Sequence, residues 1–207
     1  LRRLVEGKLA KLERLLNAFA AEPLEGESFV LLTRALRDDP ADVLAAAGLP
    51  IVARRRLPPT SRVLRSAGLT LDSFLLRGAE IGAAAGAADT GAVFHTAGGA
   101  VPIASRLPVV ATLLDMAPWE LPRTYAASPA ARFGHRLRAR VLRDAARVIV
   151  CSRATADSAR RRLHIPTERL AVIPLAVDDE FRHAGQDVVF VARTRERLGL
   201  PVRYIVF

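Results

Sequence analysis

In three short segments of the sequence, side chains of types that can bind sugars or anions directly follow an apolar run. The first is 93–99, in which His95 is followed by the paired glycines Gly98 and Gly99. A histidine at a strand end can donate a hydrogen bond to a sugar hydroxyl or a phosphate. Paired glycines let a ligand approach the backbone closely. The simpler alternative is that His95 binds no ligand and is a capped histidine beside a flexible turn.

The second segment, 113–120, places Asp115 after an apolar run and carries Trp119 and Glu120 behind it. An unpaired carboxylate is costly next to a buried strand. Asp115 therefore either orients a neighbouring backbone group or accepts hydrogen bonds from a sugar. Trp119 either stacks on an acceptor or packs as a core or lid residue. Glu120 belongs to the same set of candidate substrate-binding residues.

The third segment begins a helix after another apolar run, at Ser152 and Arg153. The free N–H groups and partial positive charge of a helix N-terminus favour a bound anion, and Arg153 adds a positive charge there. The alternative is that Ser152 only caps the helix.

A stripe of arginines runs along a predicted helix at 128–146. Its members are Arg132, Arg136, Arg140 and Arg143. We expect Phe133, Leu137 and Val141 on the opposite, apolar face. A basic stripe of this kind binds anionic lipid headgroups or an acidic partner, or is simply a solvated helix face.

Composition excludes several classes of protein. The net charge is +10, and 29 of the 31 basic side chains are arginines, a bias that a GC-rich genome produces without any binding partner. The alternative is attraction to phosphates. The single cysteine, Cys151, excludes an internal disulfide framework and predicts a reducing, cytoplasmic compartment. No apolar run approaches the roughly 18 residues that span a bilayer.

The common motifs for phosphate loops, zinc hydrolysis and nucleophilic catalysis are missing from the sequence. The sequence therefore gives no support for a metal site. Aromatic residues are not interleaved with the basic ones, as single-strand nucleic-acid binding requires, so we expect no specific nucleic-acid partner.

The elements that must position these residues alternate between strand and helix. We predict strands at 28–32, 51–53, 92–95, 108–114, 147–151 and 170–173, an ordered loop at 116–125, and helices at 1–20, 40–47, 70–88, 128–146, 152–163 and 188–198. Short connections between such elements indicate parallel strands joined by crossover helices. The predicted fold class is a doubly wound α/β domain with a mainly parallel sheet. Ligands bind such sheets at the carboxyl ends of the strands.

An ordered set of motifs from Val109 onward resembles the N-terminal domain of the family 4 glycosyltransferases, which have the GT-B fold. The motifs are the strand 109–113 ending before Asp115, the run 148–152, Val172-Ile173-Pro174 with Val177-Asp178 and Phe181, and the ending 200–206. Leu114 stands where that family commonly has a histidine that contacts the donor sugar.

The resemblance implies that residues 1–198 form the acceptor-side domain without its first strand, and that 199–207 lead into a donor-binding domain. It also implies that the chain is cut at both ends and is inactive alone. The complete protein would be a bacterial-type, retaining enzyme of glycan biosynthesis. It would transfer a sugar from a nucleotide-sugar donor to a glycan or lipid-linked acceptor, without a further cofactor, in the cytoplasm or peripherally on the inner membrane face.

His95 and Asp115 are the catalytic candidates. The alternatives are a GT-B epimerase or phosphorylase, and a non-catalytic basic domain that binds anionic surfaces or nucleic acid.

Overall fold

A computed structural model of the chain describes residues 16, 18–19, 21–22, 24–33, 40–46, 48–56, 73–77, 91–96, 101–176, 187–201 and 203. Its contacts divide the chain into two compact units, Leu1–Ile173 and Pro174–Phe207. The predicted domain boundary at 198/199 stays a prediction. Gly98, Gly99 and most of the predicted helices at 1–20 and 70–88 lie outside the described residues, as do Val177, Asp178, Phe181 and the terminal run 204–207.

Strands and helices follow one another as the apolar periodicity requires. In chain order they are β1 (Phe29–Thr33), α1 (Pro40–Ala46), β2 (Ile51–Arg56), β3 (Phe94–Thr96), β4 (Val109–Leu113), α2 (Ala117–Glu120), α3 (Pro122–Tyr125), α4 (Pro129–Asp144), β5 (Arg147–Val150), α5 (Arg153–Leu163), a 3₁₀ turn (Thr167–Arg169), β6 (Leu170–Val172) and α6 (Val188–Leu198). Residues 16, 18–19, 21 and 73–77 are also helical.

The main sheet has four parallel strands in the order β3-β4-β5-β6. Its strands are neighbours in the same order as in the chain, so consecutive right-handed crossovers place α4 and α5 on one face of the sheet. A parallel sheet flanked by helices confirms the predicted α/β class. A second sheet pairs β1 with β2, also in parallel.

One face of the main sheet is the core of the first unit. Along β4 the side chains of Val109, Ala111 and Leu113 are buried, and β5 contributes Val148 and Val150, which are completely buried. They form one cluster with apolar residues of α4 and α5: Val141, Leu142, Ala159 and Leu163. Val110 and Thr112 point to the other face and are only partly buried, so the run at 108–114 is not fully covered on both faces.

A smaller core lies beside the two-stranded sheet. It contains Leu16, Leu44 and Leu49. Phe19 and Phe29 pack against these leucines, and their two rings stack on each other with centroids 5.9 Å apart. Helix α1 ends at Ala46, against a predicted end at 47, and Gly48 follows with a φ of +95° that favours glycine.

The prediction of a loop at 116–125 is wrong, although the segment is ordered as predicted. The segment forms the two single-turn helices α2 and α3, with Pro118 and Pro122 in their first turns. Proline is accepted there because the N–H group that it lacks has no partner inside the helix.

The core assignment predicts unequal costs for two leucine truncations. Leu142 is 1% exposed, so Leu142→Ala should lower the free energy of unfolding by about 2–5 kcal/mol. Leu121 is 56% exposed, and Leu121→Ala should change it by less than about 0.5 kcal/mol. Urea unfolding followed by circular dichroism measures both. Equal losses would contradict the placement of the core.

Candidate functional site at the carboxyl edge of the sheet

The register of β4 and β5 brings two of the three predicted segments together. Leu113 pairs with Val150, so Asp115 and Ser152 each follow two residues later at the carboxyl edge of neighbouring strands. The Cys151 thiol lies 3.0 Å from the carbonyl oxygen of Leu114 and donates to it, which ties the two strand exits to each other.

His95 lies further back, on the face of the sheet. It pairs with Val110, three residues before the end of β4, which is roughly 10 Å along the strand. Its Nε2 lies 3.3 Å from Thr112 Oγ1, on the partly buried face. His95 is exposed overall, yet partial desolvation of its ring lowers its pKa. The neutral ring is therefore favoured.

Asp115 orients the backbone at the start of α2. Its Oδ1 accepts a hydrogen bond of 2.9 Å from the Ala117 amide. This contact bears out the backbone-orienting alternative from the sequence. The carboxylate is also exposed, so it stays accessible to a hydroxyl group from solution.

Ser152 caps α5, as the simpler alternative for this residue predicts. Its Oγ accepts from the Thr155 amide at 3.1 Å and lies 2.9 Å from Thr155 Oγ1. Arg153 follows as the first residue of α5 and is exposed. The first backbone N–H groups of the helix and this side chain together suit an anion, and that role stays a prediction.

Trp119 and Glu120 pack α2 against its neighbours. The Trp119 ring is partly buried against the core, and its carbonyl lies 3.5 Å from Arg162 Nη1 of α5. The Glu120 carboxylate accepts a hydrogen bond from the buried Ser158 hydroxyl, also of α5. These contacts favour the packing interpretation of Trp119 and make Glu120 a tether between α2 and α5.

Sequence reasoning missed Arg138. The Arg138 guanidinium lies 5.4 Å above the Trp119 ring, and the same ring meets His135 edge-on at 5.9 Å. Desolvation lowers the pKa of Arg138, and the charge of Asp115 acts in the opposite direction. The sequence does carry a signal, because Arg138 is spaced four and three residues from Gly134 and Val141, which are both buried on α4.

The arginine stripe on α4 is exposed, as predicted, at Arg132, Arg136, Arg140 and Arg143. The prediction for Phe133 is wrong: its side chain is 58% exposed. Each helical residue advances by about 100°, so Phe133 falls at the margin of the stripe rather than opposite it. Val141 is buried and Leu137 partly buried, as predicted.

Comparison with known families fits this architecture. The sequence model of Glycosyltransferase Family 4 matches residues 14–181. The chain belongs to this family. No curated protein matches the chain closely enough to count as a relative.

Family membership gives the chain a glycosyltransferase-type function, and with it a sugar donor and an acceptor as general substrates. Within the described residues, no group of three or more His, Cys, Asp or Glu side chains is arranged to hold a metal ion. Within the same residues, no helix is both long enough and apolar enough to cross a bilayer.

The lowered pKa of His95 predicts a pH dependence of folding. An ordinary histidine takes up its proton near pH 6.5, whereas folded His95 does so only at lower pH. The unfolded chain therefore binds more protons, and the stability from this group is fully present above pH 6.5 and is lost as the pH falls toward the folded pKa. Urea unfolding at pH 7.5, 6.5 and 5.5 should show a smaller loss on acidification in His95→Gln. Identical pH profiles would contradict the partly desolvated position of the ring.

Proposed function

We propose that residues 1–198 form the acceptor-side domain of a retaining glycosyltransferase, and that 199–207 lead into a donor-binding domain. The enzyme transfers a sugar from a nucleotide-sugar donor to the hydroxyl of a glycan or lipid-linked acceptor. The observation that carries this proposal is the adjacent placement of Asp115 and Ser152 at the carboxyl edge of the parallel sheet, within the family match. Ligands of open α/β sheets bind at that edge.

The chemistry of the edge suits a polyhydroxylated substrate that carries an anionic group. The exposed Asp115 carboxylate accepts hydrogen bonds from hydroxyls, while Arg153 and the N-terminus of α5 attract a phosphate. Both groups sit on well-packed strand ends, so they are held before substrate arrives. Arg138 lies over Trp119, and Ser158 donates to Glu120, so these contacts position the short helix that follows Asp115.

Because Leu114 is apolar, this edge lacks a side-chain hydrogen-bond donor at that position. An apolar side chain there donates no hydrogen bond to a donor sugar, whereas the family commonly has a histidine at this position. His95 does not take over the position directly, because its register places it on the sheet face beside Thr112. Leu114 therefore leaves the edge without that contact to the donor sugar, and in our proposal Asp115 binds the acceptor. The reaction uses the nucleotide sugar as co-substrate without a further cofactor.

Asp115→Asn tests the proposed role of the carboxylate. Asparagine keeps an oxygen that can accept from the Ala117 amide but loses the negative charge that binds the hydroxyl. Losing a hydrogen bond to a charged group costs about 1.5–3 kcal/mol, so kcat/KM for the acceptor should fall about 10- to 100-fold. The assay supplies the full-length protein with UDP-, GDP- and ADP-sugars, with and without EDTA. The glycoside and its anomeric configuration are identified by mass spectrometry and NMR.

Asp144→Asn is the matched control, since Asp144 is an exposed aspartate at the end of α4. It should change kcat/KM less than twofold. A free epimerised sugar nucleotide or a sugar phosphate as product would replace the transferase proposal with the epimerase or phosphorylase alternative. Equal rates for Asp115→Asn and the native enzyme would remove Asp115 from the site.

We further propose that α4 contacts an anionic membrane surface from the cytoplasmic side. Four exposed arginines lie on one side of this helix, and the exposed Phe133 side chain lies at the margin of that stripe. Arginines attract anionic headgroups, and an aromatic ring beside them enters the headgroup boundary.

Vesicle sedimentation tests the membrane contact. Each arginine near an anionic surface contributes about 1 kcal/mol, so Arg136→Gln with Arg140→Gln should lower partitioning onto phosphatidylglycerol vesicles about 30-fold. Arg160→Gln with Arg161→Gln, an equal charge change on exposed positions of α5, should have much less effect. Phe133→Ala should weaken binding by an amount that added salt does not alter. Equal losses in both double variants would indicate nonspecific attraction to net charge.

A further inference from the structure

Arg138 is an unusual residue for the position it occupies. It lies on the side of α4 that carries the buried Gly134, Val141 and Leu142. Its guanidinium carbon lies over the ring of Trp119, 5.4 Å from the ring centroid, and Trp119 is the only tryptophan of the chain. A lone arginine on a packed helix face requires a compensating interaction, because desolvating its charge is costly.

The surroundings of Arg138 do not supply full hydrogen bonding. Arg138 Nε, Trp119 Nε1 and His135 Nδ1 are all buried without a hydrogen-bond partner among the described residues. His135, only 8% exposed, uses its other nitrogen to donate to the Tyr125 carbonyl at 3.1 Å. Replacing a buried charge by an apolar side chain of similar size is often neutral or stabilising. Stability alone therefore does not account for an arginine here.

The element that Arg138 contacts cannot hold its own orientation. Helix α2 has four residues, and so short a helix is not stable by itself. Besides the packing of Trp119 against the core and the contact of Arg162 with its carbonyl, three side chains hold it: Asp115 at its start, Ser158 on Glu120, and Arg138 on Trp119. The first of these is also the proposed acceptor-binding group.

We propose that Arg138 is a positioning residue, which fixes Trp119 and thereby the turn in which the Asp115 carboxylate faces the Ala117 amide. A cation over a tryptophan face is attracted by the ring, more strongly where both are desolvated. A guanidinium is a delocalised, weakly hydrated cation, whereas the ammonium group of lysine is compact and strongly hydrated, so lysine is an incomplete substitute over the ring. The importance of this turn for acceptor binding rests on the proposed function, but the positioning itself does not.

Hydrogen exchange at single amides tests this assignment without any ligand. Three amides in this region are capped by a side chain: Ala117 by Asp115, Ala131 by Ser128, and Thr155 by Ser152. In Arg138→Met, protection of Ala117 should fall about 3- to 10-fold, which corresponds to the loss of a typical hydrogen bond. Protection of Ala131 and Thr155 should not change, and the urea midpoint should be no lower than in the native chain.

Arg136→Met is the matched control, because it removes the same charge from the exposed side of the same helix. It should leave all three amides and the fluorescence of Trp119 unchanged. Arg138→Met should shift the wavelength of Trp119 fluorescence emission, since the ring loses the cation that lies over it. Arg138→Lys keeps the charge and should restore part of the Ala117 protection.

Equal loss of protection at all three amides in Arg138→Met would make Arg138 a structural residue and overturn the proposal. So would unchanged protection at Ala117. If Arg138→Met does not fold, protection of the Ala117 amide is measured in Arg138→Lys instead. Intermediate protection supports the proposal, and native protection contradicts a need for the guanidinium. A selective response of Ala117 in a protein that transfers no sugar would leave the positioning role intact and remove only the proposed function.

Discussion

The parallel pairing of β4 with β5 is the constraint on which the candidate site depends. Its register sets Leu113 opposite Val150, and both side chains are buried on the face covered by α4 and α5. A slip of one residue would turn that apolar set to the other face of the sheet, so the core fixes the register. Because Asp115 and Ser152 each lie two residues beyond this pair, the same packing that stabilises the fold places them side by side.

The polar groups at this edge stabilise local structure. Asp115 and Ser152 both accept a hydrogen bond from a backbone amide at the start of a helix. Such caps satisfy N–H groups that have no partner inside the helix. Local capping and ligand binding are compatible here, because the exposed Asp115 carboxylate offers more acceptor sites than one amide uses. For Ser152, by contrast, capping already explains the residue type.

Most strands and long helices that the structure describes are predicted within one or two residues, because buried apolar runs and capping residues mark them locally. Strand β2 is the exception: it continues three residues past the predicted end, through three arginines to Arg56. Helix α6 is predicted with both bounds correct, between its Asp187 cap and Gly199. What depends on tertiary contacts is predicted less well. The roles of Trp119 and Glu120 follow from partners on α4 and α5 that are remote in sequence. The position of His95 follows from the register of β3, which no local pattern encodes.

The abundance of arginine shows why composition alone is a poor guide to function. A compositional bias raises the number of arginines, but it does not decide which of them the fold buries. On α4 the same residue type forms an exposed stripe and, at Arg138, a cation over the Trp119 ring, while Arg169 of the 3₁₀ turn donates to the Arg143 carbonyl at 2.7 Å, just before the end of that helix. These uses exploit different properties: charge in the stripe, a delocalised cation over the ring, and several donors at the helix end. Lysine provides only the first of these fully. The geometry around each guanidinium, and not the net charge, therefore separates the arginines that shape the candidate site from those that only face solvent.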